Sequence, residues 1–392
     1  MSRVAAGLSV TTDAAEAGRE AATAARAELE AAEVDLAFCF LSADHADHVE
    51  EVGRSVSEQL QPRVLLGCVA QGIVGREREL EDGPAVAVWA ASLPGSAIEA
   101  FHLTGEIGDD DATIEGLPDL DAAELVVLVV DPFTFPADVL LHRAAEDHPG
   151  LPFVGGIAVA GSGPGTQTLI RDAEIFRDGA VGAALRGVPV TAVVSQGCAP
   201  LGRDAVITRA EGNVVLELAG KPALEHLRAT IASLSPREQA LATRGLLAGL
   251  VIDENKPEYG RGDFLVRSII GADEASGAIA VGERVRTGQT LRFHARDAES
   301  ADEDLALALG EALGGSAGRR AGALLFTCNG RGAAMFGSPD HDAGAVARAL
   351  GQPAVAGFFC GGEIGPVGGR SFLHGFTATM VVFGDPRPAE AP

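Results

Sequence analysis

The sequence is short of aromatic rings, of basic residues and of long apolar runs, and each shortage removes a class of protein. Aromatics make up 5% of the 392 residues, with one Trp and one Tyr, against 47% hydrophobic residues overall. A core must therefore be assembled from Ala, Val, Leu and Ile, with glycine where backbones come close. Lys and Arg total 30 against 55 Asp and Glu, a formal net charge of −25. That field repels phosphate backbones and anionic membrane surfaces, so no nucleic-acid partner is expected. No apolar run approaches the roughly 18 residues a membrane-spanning helix needs, and no membrane insertion is expected. The opening MSRVAAGLSVTT lacks the apolar stretch and cleavage site of a secretory signal, which makes a cytoplasmic protein the expectation. The five cysteines, Cys39, Cys68, Cys198, Cys328 and Cys360, fall singly with no C-x-x-C pair. Structural disulfides and a zinc site are disfavoured, and neither a metal nor a cofactor is expected.

What the chain has in quantity is glycine, 50 residues of it, and its densest use is GFFCGGEIGPVGGRSFLHGFTATMVVF at residues 357–383. Seven glycines there separate two apolar runs and surround Glu363, Arg370 and His374. Backbone N–H groups can approach a ligand closely at such a place, and a carboxylate, a guanidinium and an imidazole supply polar anchors. A buried hairpin with a glycine-rich turn is the competing reading.

The motif repeats. An apolar strand, a helix, a second strand running into glycines and then further strands occur from about residue 34, again from 125 and again from 323. GCVAQGIVG from Gly67 aligns with GFFCGGEIG from Gly357, placing Gly72 on Gly362 and Gly75 on Gly365. The middle copy, GIAVAGSG from Gly156, keeps only Gly161. A period near ninety residues suits duplicated domains rather than a solenoid. The strands at 85–91 and 98–103 are spaced as a hairpin through Pro94 and Gly95, and Ser338 is read as capping a helix over 339–350 that stops at Gly351. The fold class expected is α/β: two related domains of layered mixed or antiparallel sheets flanked by helices, built from a repeated strand-helix-multistrand unit. The first domain spans 1–215 with two copies, the second 216–385, and 386–392 is read as a disordered tail.

LLFTCNGRG at residues 324–332, GFFCGGEIGP at 357–366 and HGFTATMVVF at 374–383, in that order, resemble the C-terminal FIST domain, named for F-box and intracellular signal transduction proteins. ELAGKPALEHL at 217–227 and DFLVRSIIG at 263–271 resemble its opening and middle. FLSADH at 40–45 and LLGCVAQGIVG at 65–75 resemble the N-terminal FIST domain. Where the family pattern has His-Asn-x-Thr, this chain has His374, Gly375, Phe376 and Thr377. The resemblance implies a sensory module for signal transduction that binds a small molecule such as an amino acid, without an established catalytic activity, and acts alone or through a signalling protein.

The candidate ligand-binding residues are Cys328, Asn329, Arg331, Gly361, Gly362, Glu363, His374 and Thr377. Arg331, between glycines at a strand end, suits bidentate capture of a carboxylate or phosphate; a structural ion pair, with Glu363 as one partner, is the other reading. Glu363 is costly if buried unpaired and needs a cation, an amine or backbone donors. Together the two would match the ends of an amino-acid zwitterion. His374 and Thr377, three apart on one strand, would face opposite sides, and His374 also reads as a core histidine. An alternative function is a cysteine-dependent hydrolase or transferase using Cys328 or Cys360 with His374 as base, against which buried strand cysteines usually act as small hydrophobes. A scaffold without a ligand is the remaining alternative. Asp44, His45, Asp47 and His48 have metal-ligand chemistry but sit where a helix start explains them. GSGPG at 161–165 lacks the Lys-Ser/Thr of a phosphate-binding loop.

Overall fold

The apolar runs become strands buried on both faces, each lying between a helix layer and a shared interior. The computed structural model describes residues 2–30, 32–107, 112–314, 320–352 and 354–384; the C-terminal tail at 386–392 lies outside them. They fall into two compact units, one drawn from Met1–Ser195, Leu305–Leu373 and Thr377–Pro392, the other from Gln196–Asp304 and His374–Phe376. The fold is α/β, with mixed and antiparallel sheets flanked by helices.

In chain order the first copy consists of β1 (Arg3–Ser9), α1 (Ala14–Leu29), β2 (Leu36–Ser42), α2 (Val49–Leu60), β3 (Val64–Ala70), β4 (Ile73–Gly75), β5 (Arg78–Leu80) and β6 (Val86–Ser92). Asp13 caps α1 by accepting the Glu16 N–H at 2.8 Å, which satisfies one of the free donors of the first turn. The second copy comprises β7 (Ala97–Ile107), β8 (Ala112–Glu115), β9 (Leu125–Val130), α3 (Ala137–Asp147), β10 (Phe153–Ile157), β11 (Leu169–Arg171), β12 (Glu174–Phe176) and β13 (Ala180–Arg186). After β14 (Val190–Gln196), the second unit follows with β15 (Cys198–Glu211), β16 (Val214–Leu218), β17 (Lys221–Pro222), α4 (Ala223–Ser233), α5 (Pro236–Arg244), β18 (Leu246–Val251), β19 (Phe264–Asp273), β20 (Ala278–Val281) and β21 (Thr290–Arg296). Its antiparallel sheet runs β15-β21-β18-β19-β20-β16, and pairing of β15 with β16 closes the ring, removing exposed edges. Ser235 and Glu238 form the capping box of α5 that their spacing predicts. The third copy comprises α6 (Ala298–Gly314), β22 (Arg320–Cys328), α7 (Ala333–Phe336), α8 (His341–Leu350), β23 (Val355–Cys360), β24 (Glu363–Val367), β25 (Arg370–His374) and β26 (Thr377–Gly384).

The three copies trade hairpins. In each, two parallel strands (β2 and β3, β9 and β10, β22 and β23) are flanked by an antiparallel return strand. The hairpin between the second strand and the return strand leaves for another sheet: β4–β5 pairs with β23, β11–β12 with β3, and β24–β25 with β10. One backbone bond seals each junction at the same position, Phe359 N–H to Gly72 O at 2.9 Å, Val69 N–H to Thr168 O at 3.0 Å and Ile157 N–H to Gly362 O at 2.8 Å. First gives to third, third to second and second to first, so the exchange closes on itself.

This register corrects the alignment of the middle copy. Gly67, Gly155 and Gly357 lie opposite Cys39, Leu128 and Leu325, and at each a Cβ would run into that partner's carbonyl oxygen. Gly155, not Gly156, is thus the counterpart. Thr168, not Gly161, occupies the place of Gly72 and Gly362; the middle copy carries an insertion that includes the GSGPG stretch. Nor do the strands either side of Pro94 and Gly95 form a hairpin. β6 already has β1 and β2 on its two edges, so the chain crosses to the next sheet, where β7 pairs with β13.

The inner faces of the three sheets share one core. The scarce aromatics gather there, with Phe40 against Phe358 at 5.3 Å and Trp89 against Phe383 at 4.6 Å between ring centroids. The outer faces carry separate helix layers: α1 and α2 on the first sheet, α3 on the second, α6 and α8 on the third.

Candidate functional site

In the third copy the parallel strands β22 and β23 end together, with Cys328 level with Cys360. Beyond the C-terminal ends of parallel strands is where α/β sheets commonly hold ligands. β22 runs into Asn329, Gly330 and Arg331; β23 runs into Gly361, Gly362 and Glu363. Asn329 N–H donates to Cys360 O at 2.9 Å, tying the two turns together. The Asn329 Oδ1 is buried and has no hydrogen-bond partner among the described residues. Gly361 and Gly362, expected as ligand-facing backbone, have an N–H and a carbonyl in use: Gly361 N–H donates to Ile157 O at 3.0 Å, and Gly362 O accepts from Ile157 N–H.

Glu363 is fully buried. It lies opposite Gly156, and its Oε2 accepts from the Thr377 N–H at 3.1 Å and the Thr377 hydroxyl at 2.8 Å. A Cβ on Gly156 would collide with the Cys360 Sγ, so the glycine makes room for the thiol beside the carboxylate. At the same hairpin position the first copy has Ile73, opposite Phe358, and the second has Leu169, opposite Cys68. Thr379, opposite Phe326, likewise replaces Ala87 and Val181, opposite Phe40 and Val129; its buried hydroxyl has no partner among the described residues.

Arg331 is fully buried and pairs with Asp342 rather than Glu363. Its Nε donates to Oδ2 at 2.7 Å and its Nη2 to Oδ1 at 2.8 Å. The Thr327 hydroxyl donates to the same Oδ2 at 2.7 Å, and His341 Nδ1 meets Oδ1 at 2.9 Å. His341 stacks on Phe336 at 3.5 Å between ring centroids, and the Arg331 guanidinium lies 5.3 Å from that ring's centre. Burial pushes the Asp342 carboxyl up, but Arg331 and the hydrogen bonds from His341 and Thr327 outweigh it and hold Asp342 well below the usual carboxylate range.

Two partners of this cluster come from the first copy. α8 begins after Asp340, which stands where Ser338 was expected to cap, and the Asp340 side chain makes no cap bond within the helix. Glu79 of β5 accepts the Ala343 N–H at 2.8 Å instead. Glu81 accepts the Ala333 N–H at the start of α7 at 2.7 Å, and a Cβ on Gly332 would displace that carboxylate. No local pattern marks Glu79 or Glu81 as belonging here; only the exchanged hairpin brings them.

The remaining candidates separate. His374 ends β25 and Thr377 begins β26, with Phe376 turning the chain at φ 67° between them; they are not on one strand. His374 is buried and falls in the second unit. Burial, followed by Glu363, Cys68 and Cys328, pushes the Cys360 thiol well above its ordinary value, and burial pushes Cys39 up to about 12. Both are thiols at neutral pH, which removes the nucleophilic form from Cys360. Cys328 is half-buried, with Gly330 N–H 3.5 Å from its sulfur. Residues Ala43–His48 form a short 3-10 helix leading into α2, with His45 buried, and no cluster of His, Cys, Asp and Glu suited to a metal occurs among the described residues.

The FIST N domain matches residues 35–221 and the FIST C domain residues 223–366. This chain belongs to the FIST family. Uncharacterized protein Rv0628c of Mycobacterium tuberculosis is 44% identical to it over 384 residues, covering 98% of this chain and 100% of the relative. Uncharacterized protein Mb0898c of Mycobacterium bovis is also 44% identical, covering 98% of this chain and 99% of its own length. The two family domains meet at Pro222, inside the second compact unit, so each draws on both units. FIST domains are generally linked to sensory signal transduction, and no helix among the described residues of this FIST protein is long and apolar enough to cross a membrane.

Proposed function

We propose that this FIST protein is a sensor for a small polar metabolite carrying an amine, an amino acid being the simplest, bound at the strand ends of the third copy. The observation that carries the reading is Glu363. It places a carboxylate beside the strand ends where the same position holds Ile73 and Leu169 in the sister copies, and a carboxylate is the natural acceptor for a ligand ammonium group. Asn329 Oδ1 and the Thr379 hydroxyl supply further polar atoms near the same strand ends. Arg331, joined to Asp342, acts as a positioning residue for the Asn329–Gly330 turn rather than as a carboxylate clamp. A signalling protein would read ligand occupancy as a shift between conformations of the chain.

Thermal-shift measurements on the full chain against amino acids, amines and organic acids test this, repeated on Glu363→Gln, which keeps the shape and removes the charge. A ligand at a hundred times its Kd adds about 2.7 kcal/mol. An amine-bearing compound should raise the melting temperature of the native chain and not of the variant. A shift that survives undiminished in Glu363→Gln, or none from any amine, sinks the reading.

A further inference from the structure

Each exchanged hairpin sends a side chain into the helix layer of the sheet it joins. The second copy sends Ile175 into the layer of α1 and α2, and the third sends Leu373 into the layer of α3. At the position of Ile175, one pair from the turn opposite Val74 rather than Ile170, the first copy sends Glu79 towards α8. An acid has replaced an apolar plug. Glu79 is 5% exposed. Its own N–H donates to Asp340 Oδ1 at 2.7 Å and its Oε1 accepts from Ala343 N–H at 2.8 Å, while its Oε2 is buried with no hydrogen-bond partner among the described residues.

The charged groups around it decide its state. From α8 and its cap come Asp342, Asp340 and His341, with Arg348 further along the helix. Arg331 stands behind Asp342, and Glu77, Arg78 and Glu81 lie on the hairpin itself. Asp342 has taken the guanidinium: both its oxygens are bonded to Arg331, with Thr327 and His341 added. Two carboxylates at one buried helix end do not both stay ionised when only one has a cation.

We propose that Glu79 is protonated when the first copy's hairpin is seated on the third sheet, and that its ionisation releases the hairpin: the junction is a proton-controlled latch. Burial, and then Asp342, push its pKa up from 4.5 to about 7, against the opposite pull of the Ala343 N–H. The folded value lies above the unfolded one, so the latch is fully closed below about pH 4.5 and is lost as pH rises through about 7. The proton leaves to solvent when the hairpin lifts. The hairpin also carries Glu81, which holds the turn after Arg331, so the latch bears on the strand ends whether or not a ligand sits there.

Hydrogen exchange on the full chain, from pH 5 to 9 and corrected for intrinsic rates, reads this directly. Protection of the segments covering β4–β5 and the first turn of α8 should fall by up to about tenfold per pH unit as pH rises towards 7 and level off above it, while β9 and β13 stay level. Glu79→Gln and Glu79→Ile, the latter taken from the second copy, should both flatten the profile. Selective carbon-13 labelling of glutamate should show one side-chain carboxyl titrating near neutrality that is missing from Glu79→Gln. A wild-type pH profile unchanged in both variants, or a Glu79 carboxyl titrating near 4.5, overturns the proposal.

Discussion

The second and third copies share strand order, hairpin exchange, sealing bond and the glycine that lets the parallel strands approach, yet they differ wherever a side chain could do chemistry. The second has Leu169 and Val181 facing the central core where the third has Glu363 and Thr379. Helix α3 follows a turn organised by Asp131, which accepts from Phe133 N–H at 2.9 Å and from the Thr134 hydroxyl at 2.7 Å. The equivalent turn of the third copy is organised by an ion pair. Shared positions carry the fold and departures from them mark where something other than folding set the residue; such local departures are expected at functional sites.

The largest effect that would sharpen this contrast is at Arg331. Arg331→Ala leaves the buried Asp342 without its cation and should cost about 3–5 kcal/mol in urea unfolding, whereas replacing both partners by Met and Leu should recover most of that loss. A cost below about 1 kcal/mol for the single change would mean that the pair does not organise the third copy's turn.

Next come the glycines that define the shared frame. Gly155→Ala and Gly357→Ala each drive a methyl into a backbone carbonyl, of Leu128 and Leu325 respectively, and each should cost about 2–3 kcal/mol. Gly163→Ala, in the insertion and with open space around it, should be close to neutral. Melting temperatures decide the matter, and an innocuous Gly155→Ala would undo the alignment of the middle copy.

These glycines also show what the sequence discloses. The repeat is legible because close strand approach demands glycine, and the five-residue step from Gly67 to Gly72 recurs from Gly357 to Gly362. The middle copy misleads because Gly155 and Gly156 are adjacent and an insertion moves its next landmark to Thr168. Hairpin exchange is invisible to local pattern: a hairpin's alternation shows which side is buried, not whose edge it joins. For that reason Glu79 and Glu81, more than 250 residues before the helix starts they serve, could not be assigned. The sequence offers Glu363 as the partner of Arg331, whereas Asp342 lies one residue into α8 beyond its neighbour His341, in a stretch that reads as a helix start. Glu363 itself was legible, since a lone acid among glycines and apolar residues has few places to go.

The smallest expected effect is the most informative, because it turns the third copy into the first. In the first copy the N–H of Ala85, the residue before the return strand, donates to the Ser42 hydroxyl at 2.9 Å, and Ile73 fills the hairpin position. In the third copy Thr377, the first residue of the return strand, takes the place of Ala85, its N–H donates to Glu363, and Cys328 stands where Ser42 does. Glu363→Ile alone orphans a buried N–H and hydroxyl and should cost about 1–3 kcal/mol. Cys328→Ser, Glu363→Ile and Thr377→Ala together supply the serine acceptor, the apolar plug and the small return residue of the first copy. The triple variant should lie within about 1 kcal/mol of the native chain, since a satisfied apolar site replaces a satisfied ionic one, while any melting-temperature response to amines disappears. Loss of stability as large as in the single variant would show that the copies are not interchangeable at this position. A retained response to amines would place the ligand elsewhere and leave Glu363 as a structural acceptor for Thr377.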